Sequence, residues 1–209
     1  MAWADLKVYV DDVLAQEGNA ITDTQLRDNL NRAVGIISET CKPLYHAWTV
    51  KAGELVAQTP EDDVRVYLLP QGYIGPPVSV WYDDFTMRYV DPLEFQEKYA
   101  DWTSSAAGQL YTVQGRFLRT TAPDPTLLTV RAFKYLPDYV IGLALPDPMS
   151  YLSLRYRFLP ADYVLANFKM GTDVAIEAVR VQRHMRLFAE ELQNCAYETW
   201  ASTGETYRF

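Results

Sequence analysis

The spacing of apolar residues changes twice along this chain, and that change constrains the fold more than any motif does. From about Asp5 to Cys41, and again from Pro160 to Thr199, apolar residues recur every three or four positions. Between Tyr45 and Tyr139 they alternate instead. A chain with helical ends and a strand-forming middle is predicted to be α+β. The terminal helices would form a helical bundle, and a small antiparallel β-sandwich or curled sheet carrying a short helix would be inserted between them. This reading gives N-terminal helices over 1–44, a β domain over 45–140 with a short helix at 92–99, C-terminal helices over 141–202 packing on the N-terminal ones, and a tail over 203–209.

The helical ends carry clear local signals. Leu6, Tyr9, Val10, Val13 and Leu14 form one apolar stripe that Gly18-Asn19 brings to an end. Thr22, with Gln25 three residues on, has the pattern of a capping box. Leu26, Leu30, Ala33 or Val34, and Ile37 follow on one face, while Arg27, Asp28, Asn31 and Arg32 are assigned to water. Thr172 is predicted to cap the longest helix. Its stripe of Val174, Ala178, Val181, Met185, Phe188, Leu192 and Cys195 would run for about 40 Å at 1.5 Å per residue.

In the middle, the candidate strands are His46–Val50, Val64–Leu69, Pro77–Tyr82, Phe85–Tyr89, Gln109–Val113, Arg116–Thr120 and Thr126–Tyr135. Asp83-Asp84 and Gln114-Gly115 are predicted hairpin turns. Pro76-Pro77 and Pro123-Asp124-Pro125 are placed between strands, where a missing donor does least harm. After the first hairpin, Asp91 is a predicted N-cap, Pro92 a first helical residue and Glu94 the third-position carboxylate. The stretch Leu136–Pro160, broken by prolines yet apolar, reads either as a last strand or as a loop docked on a neighbour.

Little in the sequence points to chemistry. The two cysteines, Cys41 and Cys195, have no metal spacing; two buried thiols are the default reading and a disulfide the minor alternative. His46 reads as a packed or surface residue, and His184 as part of a solvated helix face. Asp83-Asp84, Asp11-Asp12 and Glu61-Asp62-Asp63 are adjacent acids, which do not converge as acid–base work requires. No Gly-rich phosphate loop, nucleophile elbow or paired cysteine ligand set is present. The reading is therefore not an enzyme, with no catalytic residue, metal or cofactor. No apolar run approaches a membrane span, and the acidic start lacks the features of a secretory signal.

Charge adds one feature. Residues 1–63 carry 11 acidic and 5 basic side chains, a balance of -6, out of -8 for the whole chain. Such an acidic chain does not suit broad nucleic-acid binding. Against it stands the row Arg180, Arg183 and Arg186. Three readings fit this row: a solvated face, a contact with the acidic N-terminal region of a neighbouring subunit, or DNA contact, which the overall charge disfavours.

The order of segments resembles an adaptor, or head–tail connector, protein of tailed bacteriophages. The residues that carry the resemblance begin with Leu69-Pro70 and Gly72-Tyr73, followed by a hairpin and Met87-Arg88-Tyr89-Val90-Asp91-Pro92-Leu93-Glu94-Phe95. Leu110-Tyr111-Thr112-Val113, Gly115-Arg116-Phe117 and Thr129–Tyr135 complete it, framed by helices at both ends. It covers about residues 20–200 and departs from the pattern in the Leu136–Phe158 segment and the first helix. The resemblance implies a structural virion protein at the head–tail junction, assembled in the host cytoplasm. It also implies a homo-oligomeric ring, with a dodecamer as the implied count, between the portal protein and tail components. DNA would pass through the ring without specific recognition, and no membrane would be involved. Interface candidates are Arg180, Arg183, Arg186, Trp200, Tyr207, Arg208 and Phe209, with Trp81 and Trp102 as further aromatic anchors. The nearest alternative is another phage tail or scaffold binding module.

Overall fold

The computed structural model describes residues 3–49, 55–57, 65–98, 110–121, 125–141, 147–168 and 174–203. The chain divides into two units: residues 1–44 with 135–209, and residues 45–134.

The first unit is helical. Helix α1 spans Trp3–Ala15 and buries Leu6, Val10 and Leu14 of the predicted stripe, with Tyr9 and Val13 half-buried against the core. Helix α2 spans Asp23–Cys41 and begins with the predicted capping box, in which Thr22 and Gln25 each hold the other's backbone N–H. It ends at Lys42, which takes a left-handed conformation (φ 49°) and returns its N–H to Ser38. Helices α4, Leu159–Asn167, and α5, Val174–Thr203, complete the unit. Most of α4 is buried, and it packs against α1, α2 and α5. Leu6, Leu14, Leu26, Leu30, Ile37, Leu159 and Leu165 are fully buried. Each such side chain contributes about 1.5–3 kcal/mol by leaving water.

Of the two readings left open for the proline-broken stretch, the docked one describes residues 135–141, which form no strand. Leu136 and Tyr139 enter the helical core. Two polar residues of α2 hold their backbone. Asn31 accepts from the Tyr139 N–H at 2.7 Å and donates back to its carbonyl at 3.1 Å. Ser38 accepts from the Leu136 N–H at 3.0 Å. Asn31, assigned to water by its polarity, instead stands in for a strand neighbour that this segment lacks.

The second unit contains two separate sheets, one of them mixed, that do not form the expected small antiparallel β-sandwich or curled sheet. One sheet has the order β1-β9-β4-β5, from Leu44–Thr49, Leu128–Lys134, Tyr73–Tyr82 and Phe85–Thr86. The other has the order β2-β3-β8-β7-β6, from Val56–Ala57, Arg65–Leu68, Phe117–Thr120, Leu110–Gln114 and Arg88–Tyr89. Neither is closed or curled, and β6 runs parallel to β7. The cause lies at Met87. The predicted strand Phe85–Tyr89 splits there: Phe85 and Thr86 pair with β4, and Arg88 and Tyr89 pair with β7. Met87 is buried between the two short strands, gives its N–H to the Val80 carbonyl at 2.7 Å, and receives the Thr120 hydroxyl on its sulfur at 3.6 Å. Alternation shows which side chains turn inward but not which sheet a strand joins.

Two further expectations shift locally. Pro76 and Pro77 lie within β4, not between strands. From Ile74 to Ser79, β4 advances five residues while β9 advances two, and the prolines occupy that irregularity without breaking a ladder bond. The turn after β7 is Gly115-Arg116, since Gln114 pairs with Phe117. Gly115 has φ 62°, which glycine accepts without strain. Helix α3, Pro92–Lys98, starts as expected, with Asp91 accepting from the Leu93 N–H at 2.9 Å.

Burial raises the Tyr139 phenol above its ordinary value of 10.0, and burial followed by Tyr111 raises that of Tyr73. An acid with a raised folded-state pKa stays protonated when the unfolded chain has already ionised. Stability is therefore present below pH 10 and declines above it. Absorbance titration at 295 nm should show these two phenols ionising only together with loss of the near-ultraviolet circular dichroism. Ionisation near pH 10 with that signal intact would contradict their burial.

Candidate functional site

The longest helix presents two faces of different character. Its inward face is not quite the predicted stripe. Phe188, Leu192 and Cys195 pack on the helical core, but Ala178 and Met185 are exposed. In the first half of α5 the buried positions belong to Arg180 and His184. The helix is thus turned toward polar partners, and the partners explain why.

Arg180 is the centre of a three-way junction. Its Nε donates to both carboxylate oxygens of Glu17 at 2.9 Å, just beyond the end of α1. Nη1 donates to the Leu165 carbonyl at 2.5 Å and Nη2 to the Phe168 carbonyl at 2.9 Å. These carbonyls belong to the last turn of α4 and its C-cap, where no intrahelical donor remains and a positive charge suits the helix dipole. The side chains of Arg180 and Glu17 are only 4% and 8% exposed. The row Arg180, Arg183, Arg186 is thereby divided. Arg180 meets the acidic N-terminal region within its own subunit, while Arg183 and Arg186 remain at the surface.

One turn further along, His184 Nδ1 lies 2.8 Å from Asp162 Oδ1, and both side chains are buried. His184 is therefore a packed residue at the α4–α5 contact, not part of a solvated face. The Asp162 charge is felt nearby. Glu191 is raised above the ordinary carboxylate value by burial and then by Asp162, and Tyr9 is raised by the same two causes in the same order. This cluster joins helices. Among the described residues, no group of three or more His, Cys, Asp or Glu side chains is placed to hold a metal ion.

The outward face of α5 carries Ile176, Val179, Arg183, Arg186 and Tyr197, all exposed. Val179 and Tyr197 are 69% and 73% exposed. On this face Arg186 and Glu190 make a long contact of 3.7 Å between exposed groups, which contributes little. Spaced at three, four and three residues, Ile176 to Arg186 form a mixed apolar and basic ridge about 15 Å long. Trp200 is half-buried and packs against the helical core. Tyr207, Arg208 and Phe209, together with Trp102 and the predicted cap Thr172, lie outside the described residues.

The sheet unit has exposed apolar side chains of its own: Phe85, Tyr89, Leu93 and Phe117. Trp81 is half-exposed on the four-stranded sheet. Its indole N–H is given to Ser79 at 2.9 Å, and the Arg131 guanidinium lies 4.7 Å from the ring centroid. Among the described residues, no helix is long and apolar enough to cross a membrane. No family model matches this chain, and no curated protein matches its sequence.

Proposed function

We propose that this chain is a structural virion subunit, an adaptor that forms a ring between portal and tail of a tailed bacteriophage. The observation that carries the reading is the outward ridge of α5, where large apolar side chains and arginines share one exposed helix face. Isolated exposed apolar residues are normal on any protein. Arginines sharing a helix face with apolar side chains, and Tyr197 farther along the helix, have the character of a protein interface, where arginine and tyrosine are enriched. The ridge is assigned to subunit or portal contact and the exposed aromatics of the sheet unit to tail components. Repetition of one such heterologous contact closes a ring when the rotation between neighbours divides a full turn.

The test is electron microscopy and sedimentation of the purified chain with and without its cognate portal. Rings of fixed symmetry on the portal are expected. Reversing Arg183 and Arg186 to glutamate should weaken that assembly by about tenfold or more, since the change replaces attraction by like-charge repulsion at an acidic partner. A chain that stays monomeric in the presence of portal would overturn the reading.

A further inference from the structure

The two cysteines are 154 residues apart in sequence and meet in the helical core. Cys41 is the last residue of α2, and Cys195 lies on the inward face of α5, two helices that pack against each other. Both side chains are fully buried and both thiols are free. The Cys41 thiol reaches the Leu192 carbonyl, one turn before Cys195, at 3.8 Å, and both cysteines belong to the same buried cluster.

We propose that Cys41 and Cys195 are an oxidisable dithiol that closes to an intrachain disulfide, clamping α2 to α5. The surroundings assign the two sulfurs different parts. The neighbouring Cys195 thiol, followed by burial, pushes the Cys41 thiol up, while Cys41 beside it holds the Cys195 thiol down. The reactive form of either cysteine is the thiolate, and the step is taken from Cys195. With a peroxide as oxidant, the Cys195 sulfur attacks one oxygen and the O–O bond breaks. This gives a sulfenic acid and a hydroxide, which takes up the proton released from Cys195. The Cys41 sulfur then attacks the sulfenic sulfur. The S–O bond breaks, and the departing hydroxide takes the Cys41 proton and leaves as water. Two thiols are oxidised by two electrons, and one peroxide is reduced to two waters. Burial sets the pace, because the oxidant must wait for a local opening of the α2–α5 contact. The left-handed Lys42 directly after Cys41 marks where α2 stops.

The test uses the folded full-length chain treated with hydrogen peroxide and analysed by intact and peptide mass spectrometry. The expected result is loss of two hydrogen masses per chain. A single cross-linked peptide pair containing residues 41 and 195 should appear and be reversed by dithiothreitol. The thermal midpoint should rise by about 5–10 °C, because the cross-link closes a long loop in the unfolded chain. Cys41→Ala and Cys195→Ala chains should show neither change. The wild-type mass measurement stands even where those variants fold poorly. Three results would overturn the proposal: sulfinic or sulfonic acid at one cysteine without cross-linking, a disulfide between chains, or thiols that stay reduced until the chain is denatured. None of these results bears on ring assembly, which the portal experiment reads separately.

Discussion

Replacing Arg180 with alanine is expected to destabilise the helical unit by about 3–5 kcal/mol, the range for removing one partner of a buried ion pair. The loss has two sources. Glu17 would keep a carboxylate in a site that is 8% exposed, with no cation beside it. The Leu165 and Phe168 carbonyls would lose the donors that complete the end of α4. Urea unfolding followed by far-ultraviolet circular dichroism measures the effect. Arg180→Lys should recover only part of the loss, because one ammonium cannot span a carboxylate and two carbonyls as the guanidinium fork does. Combining Arg180→Met with Glu17→Met should recover more than either single change, because no buried charge is then left alone. If Arg180→Ala falls within 1 kcal/mol of the wild type by this measure, the junction is solvated and this account fails.

In the sheet unit the largest effect is expected at Phe95, with Phe95→Ala costing about 3–5 kcal/mol. Helix α3 has seven residues, too few to persist by its own hydrogen bonds. Its anchor is the small cluster of Phe95, Val90 and Leu110, all buried, which ties it to β7. Alanine would leave a cavity there and release the helix. Hydrogen exchange should show loss of protection over 92–98 and in the adjoining β6–β7 pair before the rest of the unit opens. Phe95→Leu, which keeps most of the volume, should cost less than about 1.5 kcal/mol. Unchanged protection in the alanine variant would show that α3 is held by something other than this ring.

The sequence made some parts of this structure legible and hid others, for physical reasons. Thr22 with Gln25, and Asp91 before Pro92, are read correctly because capping depends on residues within a few positions of each other. The split at Met87 was not readable. Phe85 and Tyr89 both look like strand residues, and the choice of sheet is made by partners tens of residues away. Arg180 and His184 were assigned to the surface because charged residues usually belong there. Their burial follows from Glu17, Asp162 and two α4 carbonyls, none of which local spacing associates with α5. A usable signal did exist: Arg180 and His184 stand four residues apart and so share one face of the helix. Arg183, Arg186 and Trp200 could be placed from their pattern on the helix, but not their division into outward and core-facing roles.

The chain's connectivity also sets an order on its biosynthesis. The sheet unit is one uninterrupted stretch, and its first and last strands, β1 and β9, are hydrogen-bonded neighbours, so it can close once Lys134 has left the ribosome. The helical unit cannot. Helices α1 and α2 emerge first, with Leu6, Leu14, Leu26, Leu30 and Ile37 still lacking the surface they bury against, and α4 and α5 follow only after more than a hundred further residues. Throughout that interval the nascent N-terminal hairpin is the part of the molecule most exposed to chaperone capture or aggregation.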